Sequence, residues 1–463
     1  MGTIVPPKQQ VIQSPEWTLL GYTLSRPRQL LYRHMRYPSH CRGAVSRCVT
    51  HVTVDVSSSG LGLRHRQVWP WKNSPQLHQI FASRMSSPRI CFLGLENLSI
   101  LAPEFAHLPA SGEPVQQTLL ARALARRGFD VSMVVARLGQ PEGAVYEGVR
   151  TYGAFHPEEG IPVLRFVYPR WTGVMAALRK ADADVYYTSC ASIGVEQIFL
   201  AARRNGGKAV FRTASDSDCD PAKLLIRLKR DRMIYGHGLG RVDRVLVQSD
   251  FQQRLLQQKY GRDSRVAGML VDPGAPPAAF ADRPCDALWV SNIRQVKRPD
   301  ILLDVAKSLP ELGFKMVGGP VGGSEPMFDE IASAARALPN VEFLGAVPYQ
   351  HVSDVFVRAR VFVNTSDVEG FPNSYLQAWT NGVPVVAFFD PDNTIAREGL
   401  GVAVRTRAEM CAAVERLSTH EDEWQRLSRR CLDFMAREFA EERILSPYLA
   451  TFAELGCPQP APQ

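Results

Sequence analysis

From residue 89 onward the chain alternates short runs of consecutive apolar residues with longer stretches in which apolar residues recur every three or four positions. Continuous apolar runs bounded by Gly, Pro, Asn or Asp fit strands buried on both faces of a parallel sheet, whereas one-sided strands would alternate. One set of such strands is predicted at 89–94, 131–135, 185–188, 209–213 and 245–248, and a second at 287–290, 314–317, 341–345, 361–363 and 385–388. The intervening segments have helical periodicity. Residues 115–127 place Leu119, Leu120, Ala123 and Leu124 on one face and stop at Gly128; further helices are predicted at 251–260, 301–308, 325–338, 349–358 and 373–381. Strand and helix in regular alternation, twice over, predict two α/β domains with parallel sheets. Between the sets, Pro273-Gly274-Ala275-Pro276-Pro277 reads as a semi-rigid linker. After 408 the pattern is helical to 455, with a break near 419–422.

The stretch EGFPNSYLQAWTNGVPVV, Glu369 to Val386, carries the most chemistry. It offers a carboxylate loop, an N-cap candidate in Asn373, and a stop made by Gly382 and Pro384. Open N–H groups and the dipole at that helix start favour a phosphate. Glu369 lies just ahead and Gln377 one turn inside, so acceptors for hydroxyls stand beside donors for phosphate. A second candidate is Ser291-Asn292-Ile293-Arg294-Gln295-Val296-Lys297 after the apolar strand 287–290. Cations at the carboxyl end of such a strand face the crevice where open parallel sheets bind ligands. Gly318 and Gly319 follow the next strand, where missing side chains would let a ligand approach the backbone.

These segments resemble the Glu-x7-Glu signature and the Arg/Lys loop of retaining family 4 glycosyltransferases (glycosyl transferases group 1). The resemblance implies the GT-B fold: two facing Rossmann-like domains with a C-terminal helix crossing back, here through 444–449. It implies that Glu369 holds the transferred sugar, that Gln377 stands where a second Glu meets the ribose, and that Lys297 grips the donor diphosphate. The usual Arg position carries Asn292, with Arg294 two residues later. Donor contacts are expected at Asn292, Gly318, Gly319, Val347, Gly370, Phe371, Pro372, Asn373, Ser374 and Gln377, with Glu369, Lys297 and Arg294 nearest the chemistry. Ser111-Gly112-Glu113-Pro114 resembles the Gly-rich loop beside both substrates, so Gly112 and Glu113 are expected on the acceptor side. Where many members carry a His, this chain has Ala214-Ser215-Asp216-Ser217-Asp218-Cys219-Asp220. Ser215 and Asp216 are then acceptor-side candidates. The same acidic run also fits an Asp-x-Asp metal site or an N-cap cluster for a helix at 221–232. That helix would be basic and amphipathic, suited to anionic lipid, a lipid-linked phosphate, or simple core packing.

Composition changes the picture in one place. The chain carries 54 Lys and Arg against 46 Asp and Glu. Residues 1–84 hold eleven cations and two acids, so that leader is +9 and the remainder −1. The basicity therefore gives no argument for nucleic-acid binding. The leader has no clear periodicity. It is expected to be disordered, a non-native start ahead of Met85, an Arg-rich targeting segment or an extra interaction domain. The expected organisation is leader 1–84, first domain 85–274, linker 275–286, nucleotide-sugar domain 287–440, and crossing helix with tail 441–463. Nine Cys without a Cys-x-x-Cys pair suggest a reducing compartment and no structural zinc.

The expected function is transfer of a sugar from a UDP- or GDP-sugar to a saccharide or lipid-linked acceptor with retention, in surface polysaccharide or glycoconjugate synthesis. No cofactor beyond that co-substrate and no metal are expected, and the location is cytoplasmic with possible peripheral contact at the inner membrane face. A nucleotide-sugar epimerase or an inactive nucleotide-sugar-binding protein on the same fold are the competing readings. A dinucleotide oxidoreductase is disfavoured because no complete Gly-x-Gly-x-x-Gly follows a strand.

Overall fold

A computed structural model describes residues 87–460 apart from positions 110, 322 and 368, together with five short strand segments between Gln13 and Gly62. Those five pair in an antiparallel set of their own. What the sequence suggests about order or origin in the leader lies outside the described residues.

From Ser87 on, two parallel sheets form the body. The first contains β1 (Arg89–Leu93), β2 (Asp130–Val135), β3 (Val145–Tyr146), β4 (Val149–Gly153), β5 (Val185–Ser189), β6 (Lys208–Arg212), β7 (Arg244–Val247) and β8 (Arg265–Val266), in the order β8-β7-β6-β5-β1-β2-β4-β3. Only the β3–β4 hairpin is antiparallel. Successive residues of β1 face opposite layers. Ile90 and Phe92 join one apolar cluster and Cys91 and Leu93 the other, as continuous apolar runs require. The second sheet contains β9 (Cys285–Val290), β10 (Phe314–Val317), β11 (Val341–Gly345), β12 (Ala359–Asn364), β13 (Val385–Ala387) and β14 (Gly401–Ala403), in the order β11-β10-β9-β12-β13-β14. Counted from β9, this is the doubly wound order 3-2-1-4-5-6, and its direction reverses between β9 and β12.

Helices cover both faces. Those that matter below are α1 (Gly112–Arg126), α2 (Pro299–Ser308), α3 (Asn373–Thr380), α4 (Glu421–Glu438) and α5 (Glu441–Glu454). The last helix crosses back: Ile444, Leu445, Tyr448 and Phe452 are buried in the first lobe beside β1 and α1. Arg126 at the end of α1 and Arg127 just after it fasten the start of α5 through Glu441, both at 2.6 Å, and Arg127 also pairs with Glu442 at 2.5 Å.

Three expectations are corrected. The Gly112–Glu113 segment is the first turn of α1, because Pro114 fits the opening turn of a helix. Residues 221–228 are turn and irregular chain, and the helix begins only at Lys229 and runs to Leu239. Pro221 opens a turn there, and the Arg232 guanidinium donates to the carbonyls of Ile226 (2.6 Å) and Leu224 (3.2 Å), holding the chain in a non-helical path. Asn373 is the first residue inside α3, not its cap, since Pro372 takes the cap position.

Candidate active site between the lobes

The loops after β9 and β12 leave adjacent parallel strands at the reversal point of the second sheet, so their side chains converge on one spot. There the Lys297 ammonium is bonded to Glu369 Oε1. Ser366 Oγ donates to the same oxygen at 2.7 Å. The loops are also tied through backbone: Asp367 N–H donates to Val296 O (2.9 Å), and Thr365 Oγ1 donates to Lys297 O (2.8 Å) while accepting from Trp289 Nε1 (3.0 Å). The Lys297 and Glu369 side chains are 21% and 12% exposed, so water screens the pair weakly. The two charged groups expected to grip different parts of one ligand thus hold each other. Sequence reading missed Thr365 and Ser366, although their place at the end of an apolar strand is the signal that marks such loops.

Arg294 stands exposed at the start of the short 3-10 turn Gln295–Lys297, and Asn292 is half-buried in the same loop. Pairing continues past the strand ends, with Ser291 N–H to Val317 O and Ile293 N–H to Gly319 O, both 3.0 Å. This explains the glycines. A Cβ on Gly318 would lie 2.0 Å from Ser291 O, and one on Gly319 would meet the Ala346 side chain at 3.0 Å. A side chain at Gly318 would therefore collide with backbone, whereas one at Gly319 would press only on the Ala346 methyl. Val347 is half-buried in the loop after β11, ahead of the helix Tyr349–Phe356.

Gly370, Phe371 and Pro372 lead into α3, whose first turn leaves N–H groups at Asn373 and Ser374 without carbonyls on their own helix. Gln377 follows Asn373 by one turn on the same face. Asn373 spans the lobes. Its Nδ2 donates to Gly112 O (2.8 Å), and its Oδ1 accepts from Gln116 Nε2 (2.9 Å). Gln116 also binds Leu270 through both N–H and C=O, at 2.9 and 2.8 Å. The starts of α1 and α3, the positive ends of their dipoles, are therefore joined through Asn373. A Cβ on Gly112 would come within 2.4 Å of Asn373 Nδ2, so this glycine permits the lobes to meet. Neither Gln116 nor its contact to the other lobe was recognisable in sequence.

On the first-lobe wall, Ser189 Oγ donates to Glu113 Oε1 at 2.6 Å and accepts from Gln117 Nε2 at 2.9 Å. Burial, opposed by that hydroxyl and reinforced by Glu96, pushes the Glu113 carboxyl up to about 7. Ser215 caps the 3-10 turn Asp216–Cys219, and Asp218 accepts from the N–H groups of Ala214 (2.8 Å) and Ser215 (3.3 Å). The acidic run is thus a capping cluster for its own short turn, not for a helix at 221–232. Burial raises Asp218 and Asp216 above the usual carboxylate range, and Asp216 accepts from Gln252 at 2.9 Å. Gly370 packs on this loop, 3.5 Å from Ala214 O for an added Cβ. A cavity of about 60 Å³ lies at this junction, lined by Asp216, Gln248, Gly370 and Phe371 among others. A wider depression of about 450 Å³ lies over the ends of β12–β14, between Ser366, Phe389 and Arg405. Neither is lined by Lys297 or Glu369. Among the described residues no group of three or more His, Cys, Asp or Glu is placed to hold a metal.

The chain matches two family models, Glycosyl transferase 4-like domain over residues 111–268 and Glycosyl transferases group 1 over residues 284–420, one for each lobe. Its backbone resembles sucrose-phosphate synthase from Thermosynechococcus elongatus, with TM-score 0.64 and 17% identity over 80% of this chain and 99% of that one. It also resembles Anabaena Alr3699/HepE, solved with UDP and glucose, with TM-score 0.60 and 14% identity over 79% and 99%. The two lobes have the GT-B fold. Among curated relatives, D-inositol 3-phosphate glycosyltransferase of Mycobacterium leprae (strain TN) is 30% identical over 217 residues, 42% of this chain and 47% of that protein. The GtfA subunit of the UDP-N-acetylglucosamine–peptide N-acetylglucosaminyltransferase of Streptococcus pneumoniae is 24% identical over 161 residues, 33% and 31%. The GT-B chain thus spans about half or less of the curated relatives it matches. No described helix is long and apolar enough to cross a membrane.

Proposed function

We propose that this GT-B chain is a glycosyltransferase that takes a UDP- or GDP-sugar at the reversal point of the second sheet and passes the sugar, with retention, to a saccharide or lipid-linked hydroxyl presented by the first lobe. The observation that carries this reading is the convergence of Lys297, Glu369 and the start of α3 on one spot, facing the first lobe across Gly370 and Asn373. On this reading the donor replaces the ion pair: diphosphate oxygens take Lys297 and the N–H groups of Asn373 and Ser374, and sugar hydroxyls donate to Glu369. As the bond from the anomeric carbon to the diphosphate breaks, charge grows on the leaving oxygen, where Lys297, Arg294 and the α3 dipole oppose it. The acceptor oxygen bonds to the same face of the sugar and its proton passes to the leaving phosphate. Gln377 holds the ribose, and Gly112, Glu113, Ser215 and Asp216 form the acceptor wall.

The names of relatives that act on inositol 3-phosphate or bind UDP and glucose support the class of donor and a polyhydroxylated acceptor. A thermal-shift panel of UDP, GDP, ADP, CMP and NAD tests the reading directly. One uridine or guanosine diphosphate at a hundred times its dissociation constant is expected to stabilise by about 2.7 kcal/mol; preference for NAD, or response to none, would refute it. Lys297→Ala is expected to weaken diphosphate binding by roughly 10- to 150-fold, the worth of one charge-assisted contact of about 1.5–3 kcal/mol. Glu369→Ala is expected to abolish most turnover while sparing binding of the free nucleotide. Near-normal transfer by either variant would remove its assigned role.

A further inference from the structure

Two segments of the first lobe expose large apolar side chains that a water-facing surface rarely carries together. In the segment 161–168, Ile161, Val163, Leu164, Val167 and Tyr168 are all exposed, Val163 at 92%. In the segment 225–233, Leu225 (82%), Leu228 and Met233 (74%) are exposed as well. The Arg230 guanidinium lies over the Phe166 ring, 3.3 Å from its centroid, so the two segments adjoin and form one face. Single exposed apolar residues need no explanation, but a contiguous group marks an interaction surface.

The charge around the group selects the partner. Lys223, Arg227, Lys229, Arg230 and Arg232, all exposed, stand against Asp231 alone within residues 221–233, a net of +4. Arg165 is the one charged residue of segment 161–168, and with Arg170 just after it balances Glu158 and Glu159 just before it. A second copy of this chain would bring the same positive charge against itself. Irregular backbone at 221–228, held by Arg232, keeps Leu225 and Leu228 outward beside the cations instead of folding them into a helix against the core.

We propose that this face docks on an anionic lipid surface, with the apolar side chains of residues 161–168 and 225–233 entering the headgroup boundary and the cations of residues 223–232 on lipid phosphates. Apolar insertion and charge then act together, as in interfacial attachment generally. The sequence suggested lipid contact through a helix at 221–232; the structure replaces that helix by two adjoining segments.

Full-length protein is floated with vesicles of phosphatidylcholine alone and of phosphatidylcholine with 30% phosphatidylglycerol. Binding is expected only with the anionic vesicles, to fall at high salt, and to drop at least tenfold in Leu225→Glu/Met233→Glu and in Arg227→Glu/Lys229→Glu. All four positions are exposed, and an unchanged melting temperature confirms that each variant folds. Binding to neither vesicle overturns the proposal, as does equal binding to both, or anionic binding that the variants leave unchanged. Loss of binding on removal of residues 1–86, with the variants inert, would assign attachment to the leader and overturn it too. Vesicle binding requires no sugar transfer, so its failure is distinct from failure of the transferase reading.

Discussion

Glu113 shows how one residue can be placed correctly by sequence and still conceal its behaviour. Its neighbour glycine and its position before an apolar helix were legible, but its carboxyl acquires its character from groups far along the chain: Ser189, Glu96 and the burial around them. With its pKa moved from 4.5 to about 7, the native state holds this proton where the unfolded state has released it. The sign follows from that difference. Stability is greatest below about pH 4.5 as far as this group is concerned, declines as pH rises toward 7, and stays reduced above it. Glu113→Gln removes this slope. Compared at pH 8 and at pH 4 by urea unfolding, the variant is expected to gain about 3 kcal/mol relative to wild type. A wild-type-minus-variant difference that stays flat across that range would show that the carboxyl is not desolvated. The identities of Lys297 and Glu369 were equally legible, yet their mutual bond was not, because 72 residues separate them and only the strand order brings them together.

At the scale of elements, the βα rhythm was readable because fully buried strands leave uninterrupted apolar runs, and every predicted strand is present within a residue or two. Short pieces with weak patterns escaped, such as β3 and β14. The helix expected at 221–232 failed for a different reason. Its apolar and basic residues do have the spacing of a helix, but side-chain bonds from Arg232 to backbone carbonyls hold residues 224–226 in another path. Gly318 illustrates the reverse, a residue singled out for ligand access that has a packing reason as well. Its role is packing between the β9 and β10 loops, since any side chain would collide with the backbone oxygen of Ser291. Gly318→Ala is therefore expected to destabilise by about 3 kcal/mol or more, while Gly319→Ala, which meets only the Ala346 methyl at 3.0 Å, is expected to cost less than half of that. Chemical denaturation of the two variants side by side checks the order; an equal or reversed cost would show that the contact with Ser291 does not hold Gly318 in place.

For the whole molecule, the described contacts that join the two lobes include the chain around Leu270, Asn373 with Gly112 and Gln116, Gly370 against the Ala214 loop, Tyr349 against the first-lobe core, and α5. The helical tail and its return could be expected from the resemblance, but the residues that complete the first lobe's core could not be chosen without coordinates. Phe452 is fully buried there. Phe452→Ala is expected to cost about 3–5 kcal/mol and to lower the unfolding midpoint of the first lobe even though the residue belongs to the C-terminal end of the chain. A fluorescence transition of the second lobe alone shifting would contradict this. The same threading bears on synthesis. When β8 has left the ribosome, roughly 190 residues remain to be made before α5 arrives, about 10–40 s at typical elongation rates. Throughout that interval the groove that will receive Ile444, Leu445, Tyr448 and Phe452 stands open, so the nascent chain is a natural client for chaperones, and any message truncated before codon 444 yields a first lobe that never closes.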